Sequence, residues 1–233
     1  TIAIARRRGL RFVLPLLWGA FAYTLGALAV GGNEWRRRQF GPLLFNDISG
    51  TSGLTKEGTG TLTVEATAGS GTVLPTGTTT VNGGALEIDL SSAGTDRTLG
   101  GATNPWVING VGSSVRIFGG SARQSFNNGD WTFGSSGGGT VTIDGLNPIV
   151  RDMTITTTGG LKNTFGGNAR LNGQGVVNDP VTFTVAAGTD PSGVDLEFSG
   201  NAGNLKLVKA GEGVMSITSG ANSINAGIAI NAG

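Results

Sequence analysis

The chain has 233 residues, 43 of them glycine, with one tyrosine, no cysteine and no histidine; charged residues make up 13% and the formal net charge is +1. Without His or Cys it lacks the commonest transition-metal ligands, the usual general base and any thiol nucleophile, which excludes zinc, Cys-His and Ser-His chemistry. The near-neutral balance leaves no overall basic footprint, so nucleic acid is not an expected partner.

In chain order, the first feature is a basic and then apolar N-terminal stretch. Arg6, Arg7, Arg8 and Arg11 precede an apolar run over residues 12–30 that ends near Ala27-Leu28-Ala29. This is the order of a secretory leader, with a basic region, an apolar region and an A-x-A-like cleavage site after Ala29. The run is also long enough to span a bilayer uncut, and Arg36, Arg37 and Arg38 follow it closely, which suits a retained anchor. A third reading is that Thr1 is not a natural N-terminus. The segmentation expected is therefore 1–29 as signal peptide or membrane anchor, forming an apolar helix, and 30–45 as a short lead-in.

From about Asn46 onward the pattern changes to short alternating strands cut by Gly, Asn and Asp. Leu62, Val64 and Ala66 share one face, then Leu86, Ile88 and Leu90, then Val115 and Ile117, then Val141 and Ile143. The alternation continues with Met153 and Ile155, with Val181, Phe183 and Val185, and with Val194, Leu196 and Phe198. Turn formers such as Asn82-Gly83-Gly84, Asn109-Gly110, Asn127-Asn128-Gly129 and Asn172-Gly173 separate the strands. A sandwich satisfies this spacing too. A parallel β-helix is favoured because it pairs every strand above and below, feeds a narrow apolar column with alternate residues, and needs Gly or Asn at tight corners.

The strongest single signal is a repeat. "LTKEGTGTLTV" at residues 54–64 aligns with "LVKAGEGVMSI" at residues 207–217: Leu54 with Leu207, Lys56 with Lys209, Gly58 with Gly211, Gly60 with Gly213, Leu62 with Met215 and Val64 with Ile217. Downstream, "TTTVNGG" from residue 78 answers to "IAINAG" from residue 228. A Gly-x-Leu-x-Lys-x-Gly-x-Gly pattern with an alternating strand and a Val/Ile-Asn-Gly/Ala-Gly corner resembles the autotransporter-associated β-strand repeat. The resemblance covers residues 48–90 and 198–233. It implies a right-handed, single-stranded parallel β-helix in the passenger region of a secreted or outer-membrane-associated surface protein of a Gram-negative-type bacterium. No barrel-forming region follows the second copy, so a fragment of a longer protein and a chain to which no barrel belongs both stay open.

Lys56 and Lys209 are expected to be solvated charges beside a turn, and Gly58, Gly60, Gly211 and Gly213 to serve backbone geometry, since no phosphate-loop motif is present. An enzymatic alternative, a β-helix that binds or cleaves polysaccharide, would draw on Asp130, Asp144, Asp152, Arg123 and Arg151. Asp130 and Asp144 also suit ordinary turn roles. No nine-residue calcium-binding repeat occurs, so no bound calcium and no cofactor are expected. Trp106, Phe118, Phe126, Trp131 and Phe133 could form a glycan platform, with Trp106 and Trp131 as the contact candidates, or could sit in the core.

The expectation is an all-β parallel β-helix of roughly eight coils over residues 46–233, at the twenty-odd residues per coil usual for short solenoid repeats. Its role is read as structural and adhesive, without catalysis. The partners it suggests are surface glycans or host or matrix molecules, with membrane contact only through residues 12–30 if uncut, and the chain is expected to be monomeric.

Overall fold

A computed structural model describes residues 43–48, 50–67, 71–93, 97–99, 104–119, 129–144, 149–150, 153–167, 170–173, 180–219, 224 and 227–231. Among the described residues every element is a strand or a turn, and no helix is long and apolar enough to cross a membrane. The proposed leader or anchor at 1–29 lies outside the described residues.

The strands form two parallel sheets of eight strands each. The first sheet runs Leu43–Asn46, Thr61–Glu65, Ala85–Asp89, Ser114–Phe118, Thr140–Ile143, Asn163–Gly166, Leu196–Phe198 and Met215–Ile217. The second runs Leu54–Lys56, Thr79–Val81, Trp106–Ile108, Trp131–Phe133, Met153–Thr157, Pro180–Val185, Lys206–Ala210 and Ile228–Ile230. The chain lays a strand on the second sheet, turns a short corner, lays one on the first, and returns by a longer arc to begin the next rung. Two short sheets lie on the return arcs: Ile149–Val150, Arg170–Gly173 and Asn201–Gly203 in one, Gly71–Thr72 and Arg97–Thr98 in the other. This is an all-β parallel solenoid. The step from a residue to its partner one strand along ranges from 19 residues, Leu43 to Leu62, to 33, Asn163 to Leu196, the longest step being the one that carries a loop before its strand. Among the described residues the ladder begins at Leu43, three residues before the boundary expected from composition.

Alternation drives the packing. Strand residues point to opposite faces in turn, so one apolar set from each sheet meets across a shared column. Leu62, Leu86, Val115, Val141, Phe165 and Phe198 stack rung upon rung in the first sheet, and each of them is buried. In the second sheet the corresponding stack holds Trp106, Trp131, Ile155 and Phe183, also buried. Trp131 meets Phe165 of the first sheet edge-on at 5.4 Å, and Phe183 meets Phe198 at 5.2 Å, so aromatic contacts tie the two walls together. Val194 departs from the expected pattern. It precedes the strand Leu196–Phe198 and is only half-buried, because residues 186–195 form a loop rather than a longer strand.

The two repeat copies occupy equivalent places. Leu54–Lys56 and Lys206–Ala210 both lie in the second sheet, and the strands after their corners both lie in the first. Leu54 and Lys56 pair with Thr79 and Val81 as Leu207 and Lys209 pair with Ile228 and Ile230. Followed through the whole ladder, however, the Leu54 stack arrives at Lys209 rather than Leu207. That two-residue shift leaves the buried and exposed sets unchanged, whereas a one-residue slip would exchange them.

Candidate functional site

The repeat corner is built around its lysine, and here the structure corrects the sequence expectation. Lys56 is 7% exposed and stands on the inward side of its strand, in register with Val81, Ile108 and Phe133, all buried. Its stem follows the apolar column and its Nζ turns into the corner, donating to the carbonyls of Glu57 at 2.8 Å, Gly58 at 2.8 Å and Gly83 at 2.9 Å. The first two bonds close the turn and the third reaches the next coil. Burial pulls the ammonium below the ordinary lysine range, with the neighbouring Glu57 carboxylate opposing. Lys209 repeats the device on the last described corner: it faces the column beside Phe183, is half-buried, and its Nζ donates to the Gly211 carbonyl. Lys56 is therefore a carbonyl clamp rather than a solvated charge, and the half-buried Lys209 makes the same kind of bond to its own turn.

The glycines divide by mechanism. Gly58 and Gly211 have φ of 73° and 79°, the left-handed region that side chains rarely adopt. Gly213 is required by close approach, since a Cβ there would lie 2.3 Å from the Ala186 carbonyl oxygen. Gly60 holds the same repeat position as Gly213, but a Cβ added there would meet no heavy atom within 4 Å. Beside the first corner an amide ladder climbs the solenoid: Asn82 Nδ2 donates to Glu57 Oε1 at 2.6 Å and Asn109 Nδ2 to Asn82 Oδ1 at 2.9 Å.

Trp106 and Trp131 belong to the core, at 1% and 0% exposure, with rings stacked 4.5 Å apart at an interplanar angle of 10°. Phe133 is buried as well. This corrects the glycan-platform expectation for both tryptophans, because rings enclosed between the sheets offer no face to a ligand. Phe118 is half-buried under the Arg116 guanidinium, 4.5 Å from its ring centre. Asp130 and Asp144 do not converge. Asp130 flanks the second sheet and accepts from the Thr154 backbone N–H at 2.9 Å, whereas Asp144 follows a first-sheet strand and pairs with Arg116 at 3.3 Å. Asp152, Arg123, Arg151 and Phe126 lie outside the described residues. Among the described residues no group of three His, Cys, Asp or Glu is placed to hold a metal ion.

The outward faces differ in chemistry. The first sheet carries charge: Glu87 stands in register with Arg116, and Lys162 Nζ meets Glu197 Oε2 at 2.9 Å. On the second sheet, one outward column reads Thr55, Thr80, Val107, Thr132, Thr156, Thr184, and beside it Thr154 pairs with Thr182. Among the described residues, Asp130 at the foot of the shorter column and Lys206, in register with Pro180 beside Thr182, are charged side chains bordering these threonines.

The loop before Leu196 holds two carboxylates, each fixed by its own hydrogen-bond donors, that the strand pattern does not single out. Asp190 accepts from the Ser192 hydroxyl at 2.6 Å and from the backbone N–H groups of Lys162 and Ser192, which hold its carboxyl down to about 2. Asp195 accepts from Gly188 and Val214 N–H groups at 2.8 and 2.7 Å, joining this loop to the following rung. The signal in the sequence is the "TDPSG" string at 189–193, an Asx-type turn.

Compared with known proteins, the chain matches no family model, no curated protein and no solved structure.

Proposed function

We propose that this chain is a structural and adhesive segment, the stalk-like passenger of an autotransporter-type protein that is secreted or held at the surface of a Gram-negative-type bacterium. The observation that carries this reading is the repeat corner: two copies 153 residues apart place a clamping lysine, a left-handed glycine and two strands in the same local register. A sequence that devotes its repeat to rung geometry is selected for a continuous rod. Such a rod resists local opening because each rung is paired on both sides, and it holds its outward faces at fixed spacing over its length. Weak contacts repeated along it add by avidity. The right-handed coil, the export signal and the absence of catalysis belong to this proposal.

The test is exposure on the producing cell. An antibody raised against residues 43–231 should label intact cells, or the protein should appear in the medium. Labelling only after permeabilisation, with none in the medium, would sink the surface reading.

A further inference from the structure

We infer that the outward face of the second sheet is a contact surface for an uncharged, rigid polysaccharide, and that its threonine hydroxyls with the Asp130 carboxylate are the groups that touch it. The inference rests on the adhesive reading above and says which face adheres and to what chemistry. Thr55, Thr80, Thr132, Thr156 and Thr184 stand in one outward column, with Thr154 and Thr182 beside it. No hydroxyl of these seven forms a hydrogen bond among the described residues, whereas the first sheet's Thr63 is already engaged with Glu87. Their β-branched side chains have few χ1 choices, so the hydroxyls are fixed at the ladder's own repeat of about 4.8 Å.

An array of hydroxyls without a partner among the described residues offers a donor and acceptors at every site. A polysaccharide presents hydroxyls that donate and accept in turn, and Asp130, with one oxygen held by the Thr154 N–H, keeps the other for a sugar hydroxyl. The longer column carries no charged side chain among the described residues, and Asp130 and Lys206 at its borders are of opposite sign, so the face matches a neutral polymer better than an anionic one, and a stiff polymer loses least freedom on a stiff face. With Trp106 and Trp131 enclosed, no ring stacking adds affinity, so each contact is weak and retention depends on many rungs acting together. Asp130 and Pro105 interrupt the array in a way that an ice lattice, which needs an unbroken uncharged repeat, would not tolerate.

The experiment uses the purified full chain and suspensions of crystalline cellulose, chitin and, as an anionic control, alginate. Thr154, Thr156, Thr182 and Thr184 are changed together to Val, which keeps the branched strand-forming shape; Thr63, Thr140, Thr142 and Thr164 changed together to Val are the matched change on the first sheet, and circular dichroism confirms that all variants fold. The expected result is retention on a neutral polymer that survives 1 M salt, falls at least about tenfold in the four-threonine variant, and is unchanged in the first-sheet variant. Four outcomes would overturn the inference: no retention on either neutral polymer, equal retention by the four-threonine variant, retention on alginate alone, or inhibition of ice recrystallisation without polymer retention. Because retention is read on purified protein, its failure leaves the surface-labelling result standing.

Discussion

Replacing Lys56 by Met removes the ammonium while leaving an unbranched stem to fill the column, so it isolates what the corner clamp contributes. Three carbonyls lose their donor. Glu57 and Gly58 are exposed, and their carbonyls turn to water; Gly83 is half-buried and loses the bond that joins two coils. A hydrogen bond to a charged group is worth about 1.5–3 kcal/mol, and the Met variant also escapes the desolvation of the ammonium, so we expect a net loss of about 2 kcal/mol. At roughly 2–4 °C per kcal/mol for a chain of this size, the thermal midpoint falls by about 4–8 °C. Exchange of the Asn82 and Ala85 amides, which donate to the Lys56 and Gly60 carbonyls, should accelerate about 30-fold, the kinetic equivalent of that loss. Lys209→Met, on the half-buried last corner, should cost less than half as much. The wild-type protein should gain stability as pH rises from the lowered Lys56 value toward the ordinary 10.5, because the unfolded chain binds the proton more tightly over that window, and the Met variant should lose this slope. A Met variant equal to or more stable than wild type, with unchanged amide exchange, would refute the clamp.

The remaining expectations concern the corners, the core and the loop. Gly60→Ala should shift the thermal midpoint by no more than about 1 °C, whereas Gly213→Ala, meeting the Ala186 carbonyl, should lower it by several degrees; equal effects would contradict the two separate roles. Trp131→Ala should destabilise by about 3–5 kcal/mol through the cavity it leaves, read by denaturant unfolding, and a loss below about 1 kcal/mol would place the ring outside the core. The Asp190 carboxyl should titrate near 2 by NMR, so the order it gives to the loop is present above 3.8 and is lost as pH falls through 2; a midpoint at or above 3.8 would contradict its hydrogen bonds.

Much of the fold is legible because the core is written in a period of two. The pairs and triplets from Leu62 to Phe198 that share a face in the sequence share the column in the structure, apart from Val194, where an Asx turn and its loop delay the strand. The corners are legible through glycine, although sequence cannot separate Gly58, required by φ, from Gly213, required by a carbonyl of the preceding coil. Lys56 defeats the sequence expectation for an instructive reason, and Lys209 shares its inward position. Alternation with Leu54 and Leu207 puts both on the inward side, whereas the rule that charges face water points them outward. The rule fails at a corner, where unpaired backbone carbonyls can solvate an ammonium at the end of a long apolar stem. Trp106 and Trp131 are ambiguous in sequence because an aromatic fits a core and a binding face equally, and only the ladder shows them stacked rung on rung. The threonine face cannot be found by aligning the repeat, since it depends on register accumulated through six second-sheet strands rather than on any local motif.

Core, corners and outward faces all depend on that register, and distances along the second sheet test it most directly. The chain has no cysteine, so spin labels can be placed on introduced cysteines alone. Thr55 and Thr156 lie four strands apart in one outward column, as do Thr80 and Thr184, while Thr55 and Thr184 lie five apart. At about 4.8 Å per strand, the first two pairs should give the same backbone separation of roughly 19 Å, and the third roughly 24 Å. Separations that differ between the first two pairs, or that fail to lengthen by one strand spacing in the third, would contradict the parallel solenoid and the face and corners derived from it.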